Sequence, residues 1–205
     1  MRAANEMVGN RGGMRLNNHA KTGATKQRSY NGDYKAIGTR AEEIVMQFLE
    51  NRPNVIGLND FRELKVIQES DIDIAIKTRD GLVTLAEIKS DYHLGVSGNV
   101  LFEVLRINHT APPDKTLTLG WSGRTPAKYL LYYAPQVHSI YLCKTDDLRA
   151  ALQRYTKEAR KNMIIKVVET DAIKTTINIL IPERYCRNVF TIYRLNQIEI
   201  CLNQN

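Results

Sequence analysis

The chain has 205 residues, enough for one domain with a buried core plus a tail, and cramped for two domains. Its 43% hydrophobic and 25% charged content is that of a soluble globular protein, while a formal charge of +7 and a pI near 9.3 favour a polyanionic partner. No apolar run reaches the roughly 18 residues of a membrane span and no apolar centre marks a secretory signal, so neither a membrane class nor export is expected.

Residues 1–33 are rich in Asn, Gly, Arg, Lys and Ser and too poor in apolar residues to offset the entropy of ordering. They are read as a flexible basic arm ahead of a domain spanning 34–205. Across the first 35 positions Arg2, Arg11, Arg15, Lys21, Lys26, Arg28 and Lys35 face only Glu6 and Asp33, a balance that suits DNA tethering or plain solubility. From Tyr34 onward, Ile37, Ala41, Ile44, Val45, Phe48 and Leu49 recur at three- and four-residue steps and predict an amphipathic helix ending near Asn51, before Pro53. Phe61 to Ile67 reads as a strand, and Asp71 to Lys77 alternates as a half-buried strand does. Asp80-Gly81 predicts a hairpin turn, followed by a mostly buried central strand from Leu82 to Lys89.

After a polar, glycine-bearing stretch to Asn99, Val100 to Ile107 is a further strand, and Pro112, Pro113 and Asp114 mark a loop. Thr125-Pro126 predicts a capped helical turn before the apolar run Tyr129 to Ala134. A strand at Ile140 to Cys143 leads to a helix capped by Thr145 and running from Asp146 to about Lys161, with acids in its first turn and bases in its last. Strands are predicted at Met163 to Val168, Thr176 to Ile181 and Val189 to Leu195.

Cys143, Cys186 and Cys201 lack CxxC spacing, which excludes a zinc ribbon and a disulfide framework and points to free thiols in a reducing, cytoplasmic setting. His19, His93, His109 and His138 are too dispersed for paired zinc ligation. The chemistry concentrates instead in the hairpin. Glu87 and Lys89 lie two apart on one strand and project from one face, and Asp73 can join them from the partner strand. A lysine within LVTLAEIK is costly to bury unpaired, and neighbouring carboxylates repel without a cation between them. A same-face ion pair at a sheet edge would satisfy the lysine alone, whereas a divalent cation would satisfy both requirements. Carboxylate oxygens suit Mg²⁺, with Mn²⁺ as its substitute, because this hard ion keeps several waters and takes one or two protein carboxylates beside substrate phosphates. Lys89 would then orient or deprotonate the attacking water and stabilise charge on the phosphorane. Order and spacing add weight: Glu42 on the first helix, then Asp73, then Glu87-Ile88-Lys89 fourteen residues on across the turn.

In this arrangement the chain resembles the PD-(D/E)XK nuclease superfamily, the fold of many restriction enzymes, archaeal Holliday-junction resolvases and phage nucleases. The resemblance runs from about Gly38 to Lys89. Gly38-Thr39-Arg40-Ala41-Glu42 is similar to the family's first-helix pattern, with Glu43 as competing acid about a quarter turn away. Asp73 matches the motif aspartate, with Asp71 on the same strand face as runner-up, and Glu87 and Lys89 match E-x-K; Ile72 stands where the motif has proline. Asp91 and the run Ser97-Gly98-Asn99-Val100-Leu101-Phe102-Glu103 are similar to phage-type members, as is the segment from Gly120 to Ala134, although Lys128 stands where an acid is common.

The resemblance implies a restriction-endonuclease-like α/β fold, a central mixed sheet flanked by helices. It implies a metal-dependent endonuclease hydrolysing DNA phosphodiester bonds, with Mg²⁺ held by Asp73, Glu87 and Glu42, and it leaves open whether the target is a specific site, a nick, an end, or junction or branched DNA cut by structure. Glu103 is an accessory metal carboxylate or an ordinary strand glutamate; Ser97 and Asn99 contact phosphate or shape their loop, and Gly98 serves a turn. Lys128, Arg124 and Arg106 are candidate DNA-backbone contacts or solvated charges. Tyr129, Tyr132 and Tyr133 read as core and sheet residues, while Trp121, in a predicted loop, is available to stack on a base or wedge a junction. Cutting both strands or resolving a junction would call for a homodimer. The alternatives are a non-catalytic nucleic-acid-binding or assembly protein on the same fold, and a nuclease that cuts RNA.

Overall fold

The structure is a computed structural model that describes residues 31–112, 116–169 and 173–195. The expected arm, up to Tyr30, lies outside these residues, as do Pro113, Asp114 and Cys201. The first helix, α1, spans Asn31–Glu50, and its stripe of Ala41, Ile44, Val45, Phe48 and Leu49 is buried as the periodicity requires. Its end is fixed by Asn51, whose backbone N–H and side-chain amide both donate to Gln47 O.

Strands β1 (Val55–Asp60), β2 (Ile74–Thr78) and β3 (Val83–Ser90) form a meander, with a four-residue helix, α2 (Lys65–Gln68), between the first two. The β2–β3 turn is made by Thr78, Asp80 and Gly81, with Gly81 at φ 83°, a conformation glycine adopts without a Cβ penalty. Then follow β4 (Asn99–Asn108), β5 (Leu117–Leu119), the short helix α3 (Trp121–Arg124), β6 (Tyr129–Ala134) and β7 (Ser139–Lys144). Helix α4 (Thr145–Ala159), β8 (Ile164–Glu169), β9 (Lys174–Pro182) and β10 (Thr191–Arg194) complete the order.

Two sheets result. The larger has the order β1-β2-β3-β6-β7-β10, with β3 and β6 parallel and every other pair antiparallel. The smaller is antiparallel, β5-β4-β9-β8. Helix α1 covers one face of the larger sheet through Ile74, Ile76, Ala86, Ile88, Leu131, Tyr133 and Ile140. The opposite face, carrying Leu130, Tyr132 and Cys143, packs against Leu148, Ala151 and Tyr155 of α4 and against Val100, Phe102 and Ile181 of the smaller sheet. The chain is therefore a mixed α/β protein whose large mixed sheet is flanked by helices. Among the described residues no helix is long and apolar enough to cross a membrane.

Several expectations are corrected. The strand expected at Phe61 to Ile67 lies earlier, at β1, and that stretch is instead a turn with α2; Leu64 and Val66 face solvent, leaving no buried face to hold a strand. The strand expected from Asp71 begins at Ile74, because Asp71 has φ 52° and turns the chain before β2. Thr125-Pro126 closes a helical turn rather than opening one: Thr125, with ψ 128°, ends α3, and its hydroxyl donates to Asp71 O while accepting from Ala127 N–H. Thr145 is the first residue of α4 and not its side-chain cap, since its hydroxyl donates to Ala127 O. The helix stops at Ala159, where Arg160 takes φ 43°.

Candidate active site

Side chains alternate along β3, so Ala86 and Ile88 enter the core under α1 while Glu87 and Lys89 point to the other face, beside Leu130 and Tyr132 in register on β6. Asp73, one residue before β2, is pinned three ways. Its N–H donates to Ala86 O at 3.1 Å, its C=O accepts from Phe61 N–H at 2.8 Å, and its Oδ2 accepts from Ile88 N–H at 2.7 Å. The last bond sets the Asp73 carboxylate against the backbone between Glu87 and Lys89.

Glu87 is 2% exposed. Its Oε1 accepts a close charge-assisted hydrogen bond from Lys89 Nζ, while its Oε2 is buried with no hydrogen-bond partner among the described residues. Burial pushes the Glu87 carboxyl up to about 8; Lys89 opposes the shift, and the charges of Asp73 and Asp71 reinforce it. Burial disfavours the Lys89 ammonium, but Glu87 and then Asp73 and Asp71 outweigh it and hold the amine above its usual value. Lys89 is thus kept as a cation, 28% exposed, suited to neutralising charge and orienting water rather than to accepting a proton.

Glu42 reaches the group from α1. Burial and the repulsion of Asp73 raise its carboxyl, with Arg62 and Lys89 opposing. Glu43 points away and pairs with Arg40 at 3.2 Å, nearly half-exposed, which separates the two acids the sequence left open. Asp73 and Lys89 thus act on Glu42 from one side and on Glu87 from the other, which draws four groups from three separate elements into one electrostatic cluster. Sequence reasoning missed Arg62, which donates to Glu42 Oε2 at 3.2 Å while its Nε is chelated by both Asp60 oxygens at 2.8 and 3.0 Å. No spacing signal could have found it, because its partner on α1 is twenty residues away and its own segment reads as a strand.

The remaining sequence candidates are placed differently. Asp71 turns to Arg124 and forms a bidentate pair with it, 2.6 and 2.8 Å, so Arg124 is already engaged, while the Asp71 charge still acts on Glu87 and Lys89. Glu103 accepts from Arg106 at 2.8 Å, and the charge it exerts falls on Arg124. Ser97 and Asn99 bond to each other: Asn99 N–H donates to Ser97 Oγ and Asn99 Nδ2 to Ser97 O, with Gly98 between them at φ 67°. Asp91 Oδ1 likewise accepts from His93 and Leu94 N–H and shapes the turn after β3. Lys128 is exposed beside the Tyr129 ring. Trp121 is corrected outright: it is 5% exposed, packed on Phe102 and Tyr132, and no free surface remains for a base.

The donor set fits a hard divalent cation of low protein coordination. It has two adjacent carboxylates, one with an oxygen lacking a partner, and a raised carboxyl whose proton a cation would displace. Among the described residues no group of three His, Cys, Asp or Glu forms a ready cage, and Glu42 and Glu103 are paired with Arg62 and Arg106. Two carboxylates completed by waters and phosphate oxygens match Mg²⁺ in substrate-dependent sites.

No protein-family model and no curated protein matches this chain. Among solved structures, a bacterial homing endonuclease is similar to it at 12% identity and a TM-score of 0.39, over 55% of this chain and 69% of its own.

Proposed function

We propose that the chain is a metal-dependent nuclease of the PD-(D/E)XK kind, hydrolysing phosphodiester bonds of DNA at the Asp73–Glu87–Lys89 cluster. The observation that carries this reading is the buried Glu87: a carboxylate 2% exposed, with one oxygen unpartnered and two further acids acting on it, is a costly arrangement that a structural role does not require.

Asp73 and Glu87 would hold Mg²⁺, with Glu42 at its margin. When bound, the ion supplies positive charge that neutralises the phosphate and favours ionisation of water. Lys89, held as an ammonium, orients the water and stabilises the charge that builds on the phosphoryl oxygens. The Ile88 N–H donates to the Asp73 carboxylate and sets it against β3. Arg62 restrains Glu42 through a bond anchored on Asp60, which leaves Asp73 and Glu87 as the principal pair. In the hydrolysis, water oxygen attacks phosphorus and gives up a proton to solvent, the bond to the leaving ester oxygen breaks, and that oxygen takes a proton back from solvent.

The test is incubation of purified protein with supercoiled, linear and branched DNA, and with RNA in parallel, in Mg²⁺ or Mn²⁺. New DNA ends should appear with the parental protein. Glu87→Ala and Lys89→Ala should lower the rate by about a hundredfold or more while keeping DNA binding and the folded circular-dichroism spectrum. A mobility shift without new ends would assign the fold to binding alone, and cleavage confined to RNA would change the substrate. Full activity in Lys89→Ala would reject the role of that lysine.

A further inference from the structure

Resting on this metal-site reading, we propose that Asp71 and Arg124 are positioning residues, a latch that holds the Asp73 carboxylate in place for the cation, and that Arg124 is not a DNA contact. Asp71 takes a left-handed backbone conformation, φ 52°, which a residue with a Cβ adopts only when its surroundings impose it. Here they do. Arg124 Nε and Nη2 donate to the two Asp71 oxygens at 2.6 and 2.8 Å, a planar fork that lysine cannot reproduce. The buried Thr125 hydroxyl donates to Asp71 O at 2.6 Å.

The segment that delivers both groups is itself fixed. Arg149 of α4 donates to Ser122 O and Thr125 O, each at 2.8 Å, and Ser122 Oγ donates to Glu103 O on β4. Asp71 is thus gripped by side chain and by backbone two residues ahead of Asp73, with Ile72 buried between them. Opening the latch frees Asp71 to leave the left-handed region, and the Asp73 carboxylate then loses its place beside Glu87.

The experiment uses the full chain with Tb³⁺ as the probe. Trp121 is the only tryptophan, and its ring centre lies 5.8 Å from Lys89 Nζ, so terbium bound at the cluster should luminesce on indole excitation. Arg124→Met and Asp71→Gly should each weaken Tb³⁺ binding about tenfold. The double variant should be no weaker than either single one, because both break the same latch. The salt dependence of DNA binding should not change in Arg124→Met. Affinity within twofold of the parent in either variant, or a salt slope shallower by about 0.9, the value for one phosphate no longer neutralised, would overturn the proposal. If Asp71→Gly does not fold, Asp71→Asn, which tolerates the same backbone and keeps one acceptor, should still bind several-fold more weakly, and unchanged binding there is equally fatal. Glu87→Gln separates the two levels. Binding lost in Glu87→Gln but kept in Arg124→Met removes the latch alone, whereas binding kept in Glu87→Gln removes the cation site beneath it.

Discussion

Glu87 carries an unfavourable share of the fold's energy as long as no cation accompanies it. Its carboxyl, ordinarily at 4.5, is raised to about 8 chiefly by burial, so between those values the folded chain holds a proton that the unfolded chain has released. Stability must then fall as pH rises across that window, by an amount on the order of a few kcal/mol. Lys89, also raised from its usual 10.5, adds a loss in the same direction, but only at more alkaline pH, and leaves the window untouched. Urea unfolding at pH 5 and pH 8 measures this. The parental chain should lose more stability than Glu87→Gln over the interval, and saturating Mg²⁺ should flatten the parental loss. Equal losses in the two proteins would show that Glu87 is not strained in this way. The same residues show what one sequence could disclose: E-x-K on an alternating strand put Glu87 and Lys89 on one face, and the family resemblance ranked Asp73 ahead of Asp71, but no spacing could show the Arg124 fork on Asp71, which joins residues fifty-three apart.

Elements whose form is set locally were legible. The apolar stripe of α1, the Asp80-Gly81 turn and the strands β3, β4 and β7 all follow from periodicity and turn chemistry. Elements set by tertiary packing were not. The short strand β5 is exposed along its whole length and exists through its pairing with β4, and division of the strands into two sheets depends on which faces meet across the core. Helix α3 depends on Gly120, which the sequence marks only as one of twelve glycines. A Cβ at Gly120 would stand 2.2 Å from the backbone oxygen of Glu103, so the whole α3 segment, with Arg124 and Thr125, would have to move. Gly120→Ala is expected to destabilise the chain by about 1–3 kcal/mol, read as a lowered urea midpoint, and to weaken cation binding along with it. Gly123→Ala, whose Cβ would meet only the Leu119 side chain at ordinary van der Waals distance, should be nearly silent in both measurements.

For the whole molecule, charge and acid lie in different places. The proposed cation site is acidic, with Asp73 acting on both Glu87 and Glu42, yet the chain carries a net charge of +7. The first thirty residues hold six of the Lys and Arg (Arg2, Arg11, Arg15, Lys21, Lys26 and Arg28) against one acid, Glu6. Removing residues 1–30 should therefore weaken DNA binding and make it less salt-dependent, by about 0.9 in the logarithmic slope for each phosphate these residues neutralise, while cleavage at saturating DNA stays unchanged. The shared cation site of Asp73 and Glu87 is tested most directly by anomalous diffraction from crystals grown with Mn²⁺ and a short DNA duplex. A manganese peak is predicted roughly 2.1 Å from oxygens of both Asp73 and Glu87, with Lys89 Nζ turned toward a phosphate. An empty site between Asp73 and Glu87, with Lys89 still closed on Glu87 and manganese bound elsewhere or not at all, would contradict it.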